Sequence, residues 1–245
     1  MLRNRILSGE TVVGSFVKTP APHMIELLAL AGLDFVVADQ EHAPLDLTTL
    51  DGMVLAGRAA GIPVLVRTRV DEAISAVLDL GAAGVMVPHV DTAQRAHGVA
   101  AAVKFAAGKR GFSPSVRAGG YGTRDPAEFR SASDAQTVLL AQIEDAKALG
   151  QLDAIAATPG VDALFIGPSD LSLSLGFAID GPEMTRAIAQ IATAARQAGK
   201  AAGLFVSQPQ HIARWAGQGI NLFVCGSDQS LLLSAARQMM QAAKP

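Results

Sequence analysis

Four short polar stretches in an otherwise apolar chain carry the residue types that do acid-base and charge-stabilising chemistry. They are Asp39-Gln40-Glu41-His42, Arg67 at the end of Pro63-Val64-Leu65-Val66, Gln142-Ile143-Glu144-Asp145, and Gly167-Pro168-Ser169-Asp170. His42 is the only histidine with acidic neighbours within four positions on both sides, Asp39 and Glu41 before it and Asp46 after it, and an imidazole titrates close enough to neutrality to take and return a proton at physiological pH. A helix-entry histidine satisfied by backbone is the plainer alternative. Glu144 and Asp170 are hard oxygen donors that, with water and substrate oxygens, could complete an octahedral Mg²⁺ or Mn²⁺ site. Each also has a structural explanation, Asp170 as a helix N-cap and Glu144 as a first-turn carboxylate favoured by the helix dipole. The absence of His or Cys at ligand spacing argues against zinc on the residues alone. Arg67, at the end of an apolar strand, must meet either a carboxylate or an anionic ligand.

Elements that could hold these groups together follow from the pattern of apolar runs. Eight β-branched, continuous apolar segments fit strands: Val12–Val17, Phe35–Asp39, Pro63–Arg67, Gly84–Pro88, Val138–Ile143, Ala163–Gly167, Ala201–Val206 and Leu222–Gly226. Such unbroken runs suit parallel strands covered on both faces. Alanine- and leucine-rich segments with helical periodicity lie between them: 23–31, 47–60, 72–80, 92–105, 146–156, 184–198, 209–217 and 229–243. Several close on a glycine where a C-cap belongs, as at Gly32, Gly61, Gly81, Gly199 and Gly219. Eight βα units in 245 residues are the arithmetic of a single-domain (β/α)8 TIM barrel spanning residues 1–245, with a doubly wound sheet as the alternative. Since barrel enzymes place their sites where strands end, all four polar stretches fall on one rim. Strands four and five start 54 residues apart, and the excess, Gly108 to Ser133, reads as a long Gly-, Ser- and Arg-rich loop. Its Gly119-Gly120-Tyr121-Gly122 lacks the Lys-Ser/Thr of a P-loop. Gly226-Ser227 fits a helix-capping turn as well as a phosphate site.

Composition excludes several classes. With 20 basic and 22 acidic residues and a pI near 6.2, the chain has no basic field for nucleic acid or an anionic membrane. Mean hydropathy is +0.31, yet the longest stretches free of Asp, Glu, Lys and Arg are 13 residues, short of the ~20 a spanning helix needs. The N-terminus, with Arg3, Arg5 and then Ser8-Gly9-Glu10, lacks a secretory h-region. Lone Cys225 cannot form an internal disulfide and fits a reducing, cytoplasmic setting. His89 is a weaker base candidate, and His23, His97 and His211 read as surface residues. Lys18 is the one rim lysine that could form a Schiff base. Asp79, in Val77-Leu78-Asp79-Leu80-Gly81, reads by composition as a solvated helix residue.

Taken together, Asp39-Gln40-Glu41-His42-Ala43-Pro44, Val64-Leu65-Val66-Arg67, Leu78-Asp79-Leu80-Gly81-Ala82, Gln142-Ile143-Glu144 and Gly167-Pro168-Ser169-Asp170-Leu171 resemble the metal-dependent (class II) pyruvate aldolases. That family includes 4-hydroxy-2-oxoheptanedioate aldolase and 2-dehydro-3-deoxyglucarate aldolase, and the resemblance runs from Gly14 to the C-terminus. It implies a lyase that reversibly cleaves a 4-hydroxy-2-oxo acid into pyruvate or hydroxypyruvate and an aldehyde through a metal-stabilised enolate. It further implies His42 as general base with Asp39 and Asp79 raising its basicity, Asp79 across a subunit interface. Glu144 and Asp170 would be the ligands of Mg²⁺ or Mn²⁺, with Co²⁺, Ni²⁺ or Zn²⁺ as substitutes. Arg67 would stabilise the enolate, and Gln142, Gly167, Pro168 and Ser169 would bind the ketoacid. The resemblance also implies a homo-oligomer, a hexamer built as a trimer of dimers, with the C-terminal helix packed on a neighbour. Gln40 and Ser169 stand where the pattern has small residues. A lyase for a phosphorylated or CoA-linked substrate, and a non-catalytic ketoacid-binding barrel, are the alternative readings. Partners other than the 2-oxo acid, the aldehyde and further copies of the chain are not expected.

Overall fold

The computed structural model describes residues 1–68 and 71–244; Arg69, Val70 and Pro245, inside the expected 1–245 barrel, lie outside the described residues. The chain forms α1 (Leu2–Leu7), β1 (Val12–Val17), α2 (Pro22–Leu30), β2 (Phe35–Asp39), α3 (Leu47–Ala60), β3 (Val64–Arg67), α4 (Asp71–Asp79), β4 (Gly84–Val87) and α5 (Ala93–Val103). It continues with α6 (Pro126–Gln136), β5 (Val138–Ile143), α7 (Leu152–Ala156), β6 (Ala163–Ile166), α8 (Pro168–Leu175), α9 (Pro182–Gln197), β7 (Ala201–Val206), α10 (His211–Ala216), β8 (Leu222–Ser227) and α11 (Asp228–Ala243). The eight strands close into a barrel in sequential order with every pair parallel, β8 returning to β1. The doubly wound alternative is thereby excluded, and the expected strand positions hold to within a residue at each end.

Alternation along the strands sorts two cores. Phe16, Phe35, Val37, Leu65, Met86, Val138, Leu140, Phe165 and Leu222 fill the barrel interior. Val36, Ala38, Val64, Val66, Leu139, Ala141 and Ile166 face outward and pack under the helices, as a period of two requires. Gly61, at φ 75°, ends α3 in the left-handed conformation, and the four other glycines expected as helix stops also have positive φ. That region is open to glycine at no steric cost.

Three local expectations change. The segment before β5 is a loop only in part: 3₁₀ turns at Phe105–Ala107 and Arg117–Gly122 precede α6, which Asp125 caps with its carboxylate and Pro126 starts. The segment 146–156 is not one helix but a 3₁₀ turn, Ala146–Gly150, followed by α7. Helix α1, absent from the sequence pattern because of its six-residue length, closes the N-terminal end of the barrel, where Leu2 and Ile6 complete the interior cluster. Among the described residues, no helix is long and apolar enough to cross a membrane.

Candidate active site

The alternation that buries Phe35 and Val37 also turns Asp39 inward, just as Leu65 leads to Arg67 and Leu140 to Gln142. Asp39 and Arg67 are register partners on neighbouring strands, and the guanidinium donates to the carboxylate in bidentate fashion, Nε to Oδ1 at 2.9 Å and Nη2 to Oδ2 at 2.7 Å. This fork is the strong form of a charged pair. Asp39 Oδ1 also accepts the backbone N–H groups of Glu41 and His42, each at 3.2 Å. Burial alone would raise the Asp39 carboxyl, but the hydrogen bonds and charge of Arg67 outweigh it and hold the group below the ordinary carboxylate range. Arg67 stacks over the Phe16 ring at 4.3 Å, so its head is fixed on two sides.

His42 stands at the mouth with its side chain half exposed. The expectation that Asp39 faces the imidazole changes here: Asp39 holds only the His42 backbone, and the carboxylate beside Nε2 is Glu41, at 3.7 Å. The Glu41 side chain is buried, reaches Arg67 Nε at 3.4 Å, and lies 3.9 Å from His89 Nε2. The sequence pattern assigns it no role, although its place between Asp39 and His42 is the available signal. Asp79, the last residue of α4, pairs with Arg110 at 3.3 Å and does not meet His42 within the chain. Burial raises its carboxyl despite that cation.

Glu144 follows β5, and Asp170 lies in the first turn of α8 after the neighbouring strand β6. Gly167, not Asp170, is the N-cap of that helix, and Glu144 lies in no helix, so neither structural alternative describes them fully. Glu144 is buried; its Oε1 accepts the His89 N–H at 2.9 Å, and its Oε2 accepts from Gln142 Nε2. Burial pushes the Glu144 carboxyl above its ordinary range, and repulsion from Glu41 and Asp170 adds to this, against the pull of His89. His89 holds a backbone φ of 55°, a conformation that persists in a non-glycine residue when its surroundings enforce it. Its Nδ1 lies 3.1 Å from Asp145 Oδ2. At Gly167, just past β6, a Cβ would come within 2.7 Å of Glu144 Oε2 and 2.8 Å of Gln142 Nε2, so a larger residue there would displace the ends of both side chains.

Two observations bear on whether a divalent cation fits. The Glu144 carboxyl has His89 Nδ1 3.6 Å away yet is still held above its ordinary range, and among the described residues no ion pair is formed by Asp170 and Gln142 Oε1 is a buried acceptor with no partner. Hard oxygen donors with uncompensated charge suit a hard cation. Among the described residues no three His, Cys, Asp or Glu side chains converge as a metal cluster, so solvent and ligand oxygens would supply the remaining positions. A cavity of about 220 Å³ joins these parts, with Phe16, Lys18, His42, Arg67, Gln142, Phe165, Gly167, Pro168, Ser169, Asp170 and Phe205 on its walls. None of Gly119–Gly122 lines it, and Ser227 caps α11 in a reciprocal capping box with Ser230, which accounts for the Gly226-Ser227 turn.

Comparison with known proteins points the same way. The family model described as HpcH/HpaI aldolase/citrate lyase matches residues 13–235. A hydroxypyruvate/pyruvate aldolase of Pseudomonas aeruginosa is 38% identical over 97% of this chain and 90% of its own. A 5-keto-4-deoxy-D-glucarate aldolase of Klebsiella pneumoniae is 34% identical over 95% and 92%. The crystal structure of an HpcH/HpaI aldolase/citrate lyase family protein from Burkholderia cenocepacia superposes with a TM-score of 0.93 at 32% identity, covering 100% of this chain and 99% of that one.

Proposed function

The chain belongs to the HpcH/HpaI aldolase/citrate lyase family, and from that premise we propose that it reversibly cleaves a 4-hydroxy-2-oxo acid into pyruvate or hydroxypyruvate and an aldehyde. It is an aldolase, a carbon–carbon lyase of hydroxy-oxo acids. The observation that carries the residue roles is one cavity in which a fixed guanidinium, a buried amide oxygen with no partner among the described residues, a half-exposed imidazole and the Asp170 carboxylate come together, with Glu144 directly behind Gln142.

His42 is the base that takes a proton from C3 of the ketoacid, its exposure letting the proton pass on to solvent. Asp39 does not touch the ring; it fixes His42 through the backbone and Arg67 through the fork, while Glu41 lies beside the imidazole. As the C3 proton leaves, charge moves onto the 2-oxo oxygen, and Arg67 is a preorganised positive group for it. Gln142 Oε1 accepts a hydrogen bond from a hydroxyl of the bound ketoacid or from a water beside it, and Gly167, Pro168 and Ser169 supply the wall that holds the ketoacid. Glu144 and Asp170 would hold Mg²⁺ or Mn²⁺, with Co²⁺, Ni²⁺ or Zn²⁺ as substitutes, which when bound supplies Lewis-acid stabilisation to the ketoacid oxygens.

The protein works as a cytoplasmic homo-oligomer, a hexamer arranged as a trimer of dimers. Supporting this, Asp228 is the one buried residue of α11, which otherwise leaves Leu231, Leu232, Leu233, Met239 and Met240 exposed. A 16-residue helix with such a face is covered when a neighbour accepts it. Asp79 would serve a neighbour's site in that assembly.

The test is exchange of pyruvate methyl protons into deuterated water. Exchange that chelation abolishes and Mn²⁺ restores is expected, together with loss in His42→Ala. Exchange indifferent to chelator, or none alongside intact ketoacid binding, would overturn the reading in favour of a metal-free enzyme or a binding protein respectively.

A further inference from the structure

Lys18 lines the same cavity and has no part in the chemistry above. Resting on the aldolase reading, we infer that Lys18 determines specificity, its ammonium binding a carboxylate carried by the aldehyde half of the substrate. The preferred substrate is then a short 4-hydroxy-2-oxo diacid, and the preferred acceptor an aldehyde bearing a carboxylate.

The main chain at Lys18 is fixed from a distance. Its N–H and that of Thr19 donate to the two oxygens of the Asp228 carboxylate at 2.9 and 3.0 Å. Asp228 is buried and opens α11 behind the Ser227 capping box. The pairing of β1 with β8 shifts register between Gly14 and Phe16, and irregularities of this kind re-aim the side chains that follow. The result is a lysine whose backbone is rigid and whose four-carbon stem reaches the cavity beside Phe16.

Its ion pair with Asp39 is a loose one. The nearest anion is Asp39 Oδ2 at 3.5 Å, longer than the ~2.7–2.9 Å of a charged hydrogen bond. Asp39 is already occupied by the Arg67 fork and two backbone N–H groups. An ammonium carries three donors, and Lys18 Nζ has no hydrogen-bond partner among the described residues while its side chain is only 27% exposed. A cation confined this way in a small cavity without a bonded partner is suited to an anion that arrives with the substrate.

Topology says which end of the substrate it meets. In the sequentially ordered barrel, β1 lies across the mouth from β5 and β6, whose ends carry Glu144 and Asp170. A ketoacid bound against the wall of Gln142 and residues 167–170 extends its other half toward β1. Phe16 and Phe205, with ring centroids 5.9 Å apart, close the same side with apolar surface. Chain length is thereby limited, and the ammonium is left as the polar feature there.

The experiment compares glyoxylate with glycolaldehyde as acceptors for pyruvate, two aldehydes of similar size that differ in charge, in wild type, Lys18→Met and Lys18→Arg. Expected is a loss of roughly tenfold or more in kcat/KM for glyoxylate in Lys18→Met, mostly through KM for the aldehyde, with glycolaldehyde altered far less. Lys18→Arg, which keeps the charge, should recover much of the preference. Equal losses for both acceptors, or none for either, would overturn the role of Lys18. Methyl-proton exchange is measured alongside: if wild type gives neither exchange nor addition, the aldolase reading fails and takes this inference with it.

Discussion

The two ends of the barrel bury similar charges and treat them differently. At the N-terminal end Asp162, just before β6, is buried and accepts from Arg3 Nε at 2.9 Å and from the Leu139 N–H at 2.9 Å, with Arg3 Nη2 at 2.8 Å and Lys104 Nζ at 4.0 Å. Above it Leu2 and Ile6 of α1 plug the interior. At the C-terminal end the Asp39–Arg67 fork is as complete as anything below, but beside it stand Glu144, its carboxyl held above the ordinary range despite His89, and, among the described residues, Gln142 Oε1 without a donor and Lys18 without a hydrogen-bonded acceptor. Desolvating charge costs free energy at both ends. The lower end recovers it within the chain; the upper end leaves hydrogen-bonding capacity open at groups that line one cavity. Buried charge by itself therefore says little about function, and leftover valence says more.

The contrast can be broken most sharply at Glu144. Glu144→Gln keeps the shape and removes the charge, and a fall of about 10³-fold in turnover is expected, with unfolding in urea shifted by no more than about 1 kcal/mol because the native carboxylate is itself held unfavourably. A large stability loss would mean that Glu144 is structural, like Asp162. The mirror experiment is Asp162→Asn, which removes the charge facing Arg3 and leaves one acceptor oxygen where Arg3 and the Leu139 N–H each use their own. A cost of about 2–3 kcal/mol in unfolding free energy is expected, with turnover per folded molecule nearly unchanged. Asp39, a completed pair at the open end, gives a smaller, pH-dependent test. Its folded pKa lies below the unfolded value of about 3.9, so its contribution to stability is present above that pH and is lost as pH falls through the folded value. The stability gap between wild type and Asp39→Asn, measured by denaturant titration, should be full at neutral pH and narrow below about pH 4. A gap independent of pH would place the cost in packing rather than in charge.

Much of the site was legible because strand alternation is local. Once Phe35 and Val37, or Leu65, or Val138 and Leu140 are assigned inward, Asp39, Arg67 and Gln142 must continue into the barrel mouth. Glu41 escaped notice because it lies past the end of β2, where the period of two no longer tells direction. Asp79 reads as solvated, yet it is half-buried against Arg110, which stacks at 4.1 Å on Phe105 from the segment after α5; nothing within either segment announces the other. Helix α1 is too short for a periodic signal, and its burial depends on strand starts spread over the whole chain.

The sequence by itself determined where the strands and most helices lie, which residues face inward, and that the polar groups gather on one rim. These depend on hydrophobic period, glycine stops and proline starts, all local quantities. Only the tertiary structure decided partners: the Arg67 guanidinium rather than the His42 ring for the Asp39 side chain, Glu41 for the imidazole, and Asp228 for the backbone of Lys18, 210 residues away. Those choices follow from inter-strand register and from closure of β8 on β1, and a local pattern contains neither.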